Sequence, residues 1–222
     1  MTAELSSAEA MDAAFTGRPC LLVTADGRRR PMTADLWSGP ASPADLELLV
    51  DPCDGPTLDV GCGPGRLAGA LAARAIRVLG IDISAVAVRQ TRARGADALR
   101  HDVFDDLPVP DRWQHVLLAD GNVGLGGQPV RLLRRVAALL VPGGNVLVEL
   151  SGSGALAVHE NVHLQVDGRS TGTFSWATVG EDAIDEVAVS AGLVVDGVRN
   201  AGGRQVATLR HPLGAPALWH TG

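Results

Sequence analysis

Residues 58–67, Leu58-Asp59-Val60-Gly61-Cys62-Gly63-Pro64-Gly65-Arg66-Leu67, decide the fold. An apolar run gives way to glycine at three alternate positions, Gly61, Gly63 and Gly65. The chain then turns helix-forming through Leu67-Ala68-Gly69-Ala70-Leu71-Ala72. Glycine permits positive φ and close approach of a ligand to the backbone, and a helix start offers unpaired N–H groups with a partial positive charge. A strand ending in an acid follows, Leu79-Gly80-Ile81-Asp82-Ile83-Ser84. Its carboxylate stands about 20 residues beyond the glycine loop, where a ribose-binding acid belongs in a nucleotide-binding sheet. A carboxylate accepts hydrogen bonds from both ribose hydroxyls, so the pattern points to a nucleoside.

The surrounding chain repeats the same alternation. Strands are expected at 58–60, 76–81, 98–99, 116–119 and 145–150, with helices at 66–74, 84–94 and 130–140. Apolar strands alternating with amphipathic helices specify an α/β Rossmann-like doubly wound sheet with helices on both faces. Pro142-Gly143-Gly144 reads as a stop between the last of these helices and its strand. Before this core, residues 4–15 carry a helical pattern, and 20–23 a strand leading to an Asp26-Gly27 hairpin turn. Ser42 is placed to cap a helix with Pro43 at its first position. After the core come a hairpin spanning 163–176, a helix over 181–191 and two strands at 193–198 and 205–209. The short Gly202-Gly203 turn between those strands makes the C-terminal edge strand antiparallel. The expected organisation is an N-terminal helix/hairpin cap (1–55), a nucleoside-binding core (56–150) and a C-terminal part (151–222) completing the same domain.

Bulk properties narrow the function classes. The chain has 222 residues and a net charge of −6, and every non-histidine base is Arg. That balance argues against a broad nucleic-acid surface. The one basic run, Arg28-Arg29-Arg30, reads as a solvated hairpin arm rather than a phosphate patch. Three cysteines, Cys20, Cys53 and Cys62, show neither C-x-x-C spacing nor clustering with His, so no metal site is expected and reduced thiols are. The first residues lack a basic n-region and an apolar h-region, and no stretch is long enough to cross a bilayer. A cytoplasmic protein without membrane contact is the expectation.

The dinucleotide fingerprint G-x-G-x-x-G would put its third glycine where Arg66 stands, a departure from NAD(P)-dependent oxidoreductases. The D-x-G-x-G-x-G arrangement of Asp59, Gly61, Gly63 and Gly65 instead resembles the first motif of class I S-adenosylmethionine-dependent methyltransferases. The resemblance runs from Pro56 to Leu150. Asp82 matches that family's ribose acid, with Ile83 beside it. Residues 100–108, Arg100-His101-Asp102-Val103-Phe104-Asp105-Asp106-Leu107-Pro108, resemble the third-strand motif. It implies that Asp102 takes the adenine amino group and that the Val103 backbone meets the ring. Leu118-Ala119-Asp120-Gly121-Asn122 resembles the motif beside the methionine end, and Leu140-Val141-Pro142-Gly143-Gly144 the turn before strand five. The implied cofactor is S-adenosyl-L-methionine. Asp59 and Asp120 would favour its cationic end, with Asp59 alternatively a turn-stabilising acid. The helix start after Gly65 would favour its carboxylate. Cys62 is either a small filler or a thiolate stabilised at that helix start. Arg66 either reaches the methionine carboxylate or faces solvent.

Methyl transfer is an in-line displacement in which placement does much of the work, so no catalytic group need stand out. His159, Asp120 and Asn122 are the candidates on the correct side of the sheet. His115, at the start of strand four, is structural, and His101 borders the adenine. The Asn/Asp-Pro-Pro-Tyr/Phe motif of many amino-group methyltransferases is missing. Gly124-Leu125-Gly126-Gly127 reads as a flexible lid or a turn. Trp37 and Trp176 are candidate walls of an apolar acceptor pocket, which suggests a small organic acceptor. A non-catalytic nucleoside-binding module is the alternative.

Overall fold

The computed structural model describes residues 4–108, 112–152 and 158–212. Its N-terminal helix α1 (Ser7–Phe15) opens on a reciprocal cap, in which Ser6 Oγ accepts the Glu9 N–H and the Glu9 carboxylate accepts the Ser6 N–H. Strands β1 (Cys20–Thr24) and β2 (Arg29–Pro31) pair across the Asp26-Gly27 turn, with Gly27 at φ +84°. The short helices α2 (Ala34–Ser38) and α3 (Pro43–Asp45) follow, the latter capped by Ser42 with Pro43 at its first position. Leu46–Val50 then winds one residue wider than an α-helix, closed by the Asp51 N–H on the Leu46 carbonyl at 2.7 Å.

The alternating core comprises β3 (Thr57–Val60), α4 (Arg66–Ala72), β4 (Val78–Asp82), α5 (Ala85–Ala93), β5 (Asp97–Arg100), β6 (Trp113–Leu118), α6 (Pro129–Ala137) and β7 (Leu140–Leu150). Strands β8 (Val158–Val166), β9 (Arg169–Ser170) and β10 (Phe174–Thr178), helix α7 (Glu181–Ser190), and strands β11 (Val194–Ala201) and β12 (Arg204–Arg210) complete the described chain. Seven strands form the main sheet in the order β11-β12-β7-β6-β3-β4-β5. The five from β7 to β5 are parallel, and β12 is antiparallel to both neighbours. The antiparallel strand is therefore one place in from the edge, because the Gly202-Gly203 hairpin inserts the later strand first. Strand order reverses between β3 and β6, so the crevice at that switch point lies beside the glycine loop.

Strict alternation along the strands feeds two cores. Val116 and Leu118 of β6, with Val146 and Val148 of β7, face Leu132, Leu133 and Val136 of α6 and Ile184 of α7. Leu117 and Leu147 face the other way, against Leu67 and Leu71 of α4 and Leu48 and Leu49 of the wide turn. Pro142-Gly143-Gly144 is not the expected stop. Strand β7 already pairs at Leu140, and residues 141–144 are extruded as a bulge before Asn145 pairs with His115.

The larger surprise is a second sheet, β10-β8-β1-β2, with β9 alongside β8. It joins the N-terminal hairpin to the C-terminal one, with Leu22 opposite Leu164. The segment after β7 therefore does not simply complete the main sheet. Its first hairpin builds the second sheet, and only α7, β11 and β12 extend the first. Helix α1 fills the space between, with Ala10, Ala14 and Phe15 packed among Leu164, Val166, Val86 and Ala87. The glycine-rich stretch after β6 is not a free lid. Residues Asn122–Gly127 wind in two short 3-10 turns kinked at Leu125 and Gly126, and their backbone lies directly on β10. A Cβ on Gly124 would stand 1.8 Å from the Ala177 carbonyl oxygen, and one on Gly127 2.4 Å from Ser175 Cβ.

Gly124→Ala is expected to cost about 1–3 kcal/mol through overpacking. A Cβ at Gly197 in β11 meets nothing within 4 Å, so Gly197→Ala should be near neutral. Urea unfolding of the two variants checks the contrast.

Candidate functional site

Gly61, Gly63 and Gly65 all adopt left-handed φ, at +67°, +53° and +84°. Two of them are also hemmed in: a Cβ would meet Asn122 Nδ2 at 2.6 Å from Gly61 and the Thr91 backbone at 2.7 Å from Gly65, whereas Phe15 Cζ stands at an ordinary 3.6 Å from Gly63. The loop so formed is pinned at four places. The Gly61 and Cys62 N–H groups donate to the Ile81 carbonyl, at 2.8 and 3.1 Å. Asn122 Nδ2 donates to the Val60 and Gly61 carbonyls, at 2.9 and 3.1 Å. Thr91 Oγ1 donates to the Gly63 carbonyl at 2.9 Å.

The fourth pin is Asp82. Its Oδ2 accepts the Gly63 N–H at 2.9 Å, and its Oδ1 accepts the Ser84 N–H at 2.8 Å. The acid expected to face a sugar thus also fastens the loop to the end of β4. Each oxygen retains a second lone pair for a ligand. Burial pushes its carboxyl above the usual range, against the lowering effect of the Ser84 and Gly63 N–H groups. Ile83, next in line, is a large apolar side chain 38% exposed. One strand over, Asp102 Oδ1 accepts the Phe104 N–H at 3.0 Å and Val103 is buried. The intervening His101 bonds its N–H to the Asp82 carbonyl at 2.9 Å, and its buried Nε2 has no partner.

Arg66 takes neither of the two places expected of it. It is buried, and its guanidinium forks onto two carboxylates. Nε and Nη2 reach Asp45 at 3.0 and 2.9 Å, and Nη1 and Nη2 reach Asp120 at 2.6 and 3.0 Å. Asp45, 2% exposed, also accepts from Arg204, which in turn forks onto Glu149 at 2.6 and 2.7 Å. Glu149 Oε2 accepts the Asp120 N–H at 2.6 Å, which closes a ring of charged groups. Burial pushes the Asp45 carboxyl up, yet the Arg66 and Arg204 bonds outweigh it and hold it well below the usual carboxylate range.

Asp59 lies beside this ring. It accepts the Ala68 N–H from the first turn of α4, so that helix start is already faced by a protein carboxylate. Its Oδ2 is buried without a partner. Burial drives the Asp59 carboxyl up to about 7, Arg66 opposes the rise, and Asp120 and Asp82 add to it. Four carboxylates, Asp45, Asp59, Asp120 and Glu149, therefore share two guanidiniums. The surplus negative charge suits a ligand with a cationic end.

The remaining candidates fall into place around this centre. Cys62 is the filler: its Sγ sits where a Cβ on Gly80 would be 2.7 Å away, and burial drives its thiol well above the ordinary value. His115 is structural, buried between Asn145 Oδ1 at 3.0 Å and Asp54 Oδ1 at 2.9 Å. His159 donates Nδ1–H to the Gly127 carbonyl at 2.8 Å; a carbonyl only accepts, so the neutral ring carries its lone pair on Nε2. Trp37 stacks edge-on against Phe15, with centroids 6.2 Å apart, and Trp176 is half-buried on β10. What the sequence reading missed is α1. Asp12 Oδ1 accepts from Ser84 Oγ and from the Val86 N–H at 3.0 Å, and Phe15 covers Gly63. The 4–15 pattern announced a helix, but only tertiary contact places it over the loop. Arg28 and Arg30 both pair with Glu160 at 3.2 Å on the exposed edge, as a solvated arm should.

Residues 57–144 match a family model described as a methyltransferase domain. This segment is a methyltransferase domain. The chain is 33% identical over 97 residues to a trans-aconitate 2-methyltransferase of Paracidovorax citrulli, an overlap covering 42% of this chain and 37% of that protein. It is 36% identical over 112 residues to a ribosomal RNA small subunit methyltransferase C of Chromohalobacter salexigens, covering 45% of this chain and 32% of that one. The chain thus spans about a third of the length of these curated relatives. A crystal structure of an S-adenosylmethionine-dependent methyltransferase from Bacteroides fragilis, in complex with S-adenosyl-L-homocysteine, shares the fold over 93% of this chain and 94% of its own, with a TM-score of 0.78 and 20% identity. That breadth extends the likeness beyond the core to both flanking parts.

An acid with a raised folded pKa binds more protons folded than unfolded, so its ionisation destabilises the fold as pH rises from the unfolded to the folded value. For Asp59 that window runs from 3.8 to about 7. Asp59→Asn should remove this loss. Its stability relative to wild type should climb by at most about 1.4 kcal/mol per pH unit across the window and level off above it. Urea unfolding through that range gives the slope.

Proposed function

We propose that the chain moves the methyl group of S-adenosyl-L-methionine to a small organic acceptor. The observation that carries this reading is the buried Asp59 oxygen without a partner, set beside a surplus of negative charge at the end of β3. An orphaned carboxylate oxygen in such a place is costly unless a cation meets it. The cofactor's methionine end carries a sulfonium and an ammonium against one carboxylate. When bound, it supplies an activated methyl group with a neutral thioether as leaving group. The Gly61–Gly65 backbone, Cys62 included, together with Asp82, Ile83, Asp102 and Val103, would hold the nucleoside. Asp59 and Asp120 would hold the cationic end. Asn122, whose amide is spent on the loop carbonyls, would position rather than react.

On the acceptor side the reading assigns His159 as the base. His159 lines a cavity of about 150 Å³ together with Gly127, Glu160, Asn161 and Ser175, and its Nδ1 bond to the Gly127 carbonyl leaves the neutral ring's lone pair on Nε2. Such a group takes up the proton that a hydroxyl or amine acceptor must lose. The N-terminal part (1–55) and the hairpin of the C-terminal part (151–222) would select the acceptor, with Trp37 and Trp176 as apolar walls. A small acceptor accords with the trans-aconitate enzyme among the relatives. The net charge and the pairing of Arg28 and Arg30 with Glu160 disfavour an RNA acceptor like that of the other relative.

Titration calorimetry with S-adenosylmethionine and S-adenosylhomocysteine tests the cofactor assignment; binding of NADH and of neither sulfur compound would reverse it. Asp82→Ala should weaken S-adenosylhomocysteine binding by about 1.5–3 kcal/mol, and His115→Gln should leave it unchanged. Label from the methyl-labelled cofactor should appear in a metabolite extract; its persistent absence would favour a binding module. With an acceptor in hand, His159→Gln is expected to lower kcat about 10²-fold or more without altering cofactor affinity.

A further inference from the structure

We infer that Arg204, at the start of the last strand and outside the matched methyltransferase segment, is a positioning residue for the cofactor's amino-acid end. The inference rests on the cofactor reading above. Asp120 stands at φ +53°, a left-handed conformation that a non-glycine residue holds only under constraint. Two partners supply the constraint. The Arg66 fork fixes the Asp120 carboxylate, and Glu149 Oε2 fixes its N–H at 2.6 Å. Neither partner is self-supporting. Glu149 is oriented by the Nε and Nη2 atoms of Arg204, at 2.6 and 2.7 Å. Arg66 is oriented by Asp45, whose Oδ1 it shares with Arg204 Nη1.

Arg204 thus closes the circuit from Asp120 through Arg66, Asp45 and Glu149 back to the Asp120 N–H. It also lies 3.7 Å from Asp120 Oδ1. Asp45 is saturated, since its Oδ2 accepts the Ser42 N–H at 2.8 Å and Ser42 Oγ at 2.9 Å as well as Arg66 Nε. No member can turn without unpairing another. The Gly202-Gly203 turn, with both glycines at positive φ, is what brings Arg204 back to this point. A circuit converging on Asp120, next to the unpartnered Asp59 oxygen, sets where negative charge faces the ammonium and sulfonium. It leaves the adenosine end, held by the loop and Asp82, untouched.

The discriminating experiment is calorimetry of the full chain with S-adenosylhomocysteine and, separately, with adenosine. Arg204→Gln should weaken S-adenosylhomocysteine about 10-fold, leave adenosine within about twofold, and be partly rescued in Arg204→Lys, which restores charge without the fork. Glu149→Gln should show the same split and serves if Arg204→Gln fails to fold. An unchanged S-adenosylhomocysteine affinity in a folded variant, or equal weakening of both ligands, overturns the inference. Failure of the wild-type chain to bind either ligand overturns the cofactor reading itself and this inference with it.

Discussion

The Asp82 carboxylate, with one oxygen on the Gly63 N–H and the other on the Ser84 N–H, is the contact on which the rest of the site depends. It ties the first strand-to-helix loop to the end of the neighbouring strand. Without that tie, three left-handed glycines at alternate positions would form a floppy span, because glycine forfeits more backbone entropy on ordering than any other residue. With it, the loop is rigid before a ligand arrives, and ordering costs little on binding. The two Ile81 bonds and the Asn122 amide work to the same end. A buried acid normally resists ionisation. Here two backbone donors offset part of the burial penalty, so the group can bind the loop and still offer lone pairs outward.

Local pattern made the core readable. Residues Leu58-Asp59-Val60, the glycine run and Asp82 carry their meaning within a few positions, since period-two burial and turn chemistry are short-range properties. The cap at Ser42 was legible for the same reason. The second sheet was not. Its pairing of Leu22 with Leu164 spans more than half the chain, and nothing in either strand names the other. Arg66 shows the same limit at a single residue. Its position beside the loop admitted two roles, and both were displaced by Asp45 and Asp120, which arrive from distant segments. Glu149 and Arg204 carried no sequence signal at all, because an isolated acid in a strand and an isolated base after a turn look like ordinary surface charges.

The glycines divide by cause, which refines what a glycine-rich motif means. Gly65 and Gly61 are demanded by protein contacts, with Thr91 and Asn122 in the space a side chain would need. Gly124 and Gly127 are demanded by β10, and their role is to let a second sheet settle onto the backbone after β6. In each case the small residue admits another part of the same molecule. Only Gly63, with Phe15 at ordinary contact distance, leaves room beside the loop. A glycine motif at a sheet's switch point is thus as much an assembly device as a ligand cradle.

The same logic explains why Asp59 is tolerated. A carboxyl buried without a full set of partners weakens the fold at neutral pH. A non-polar residue there would escape that cost but would leave the Ala68 N–H at the start of α4 without its carboxylate. A cationic group arriving beside it would lower its pKa and convert an unfavourable burial into an ion pair. The ring through Arg66, Asp45, Arg204 and Glu149 is already internally matched, so it cannot take over that task; it holds Asp120 and leaves Asp59 with the unmet demand. Stability is given up at Asp59, and the surrounding network confines the loss to that point.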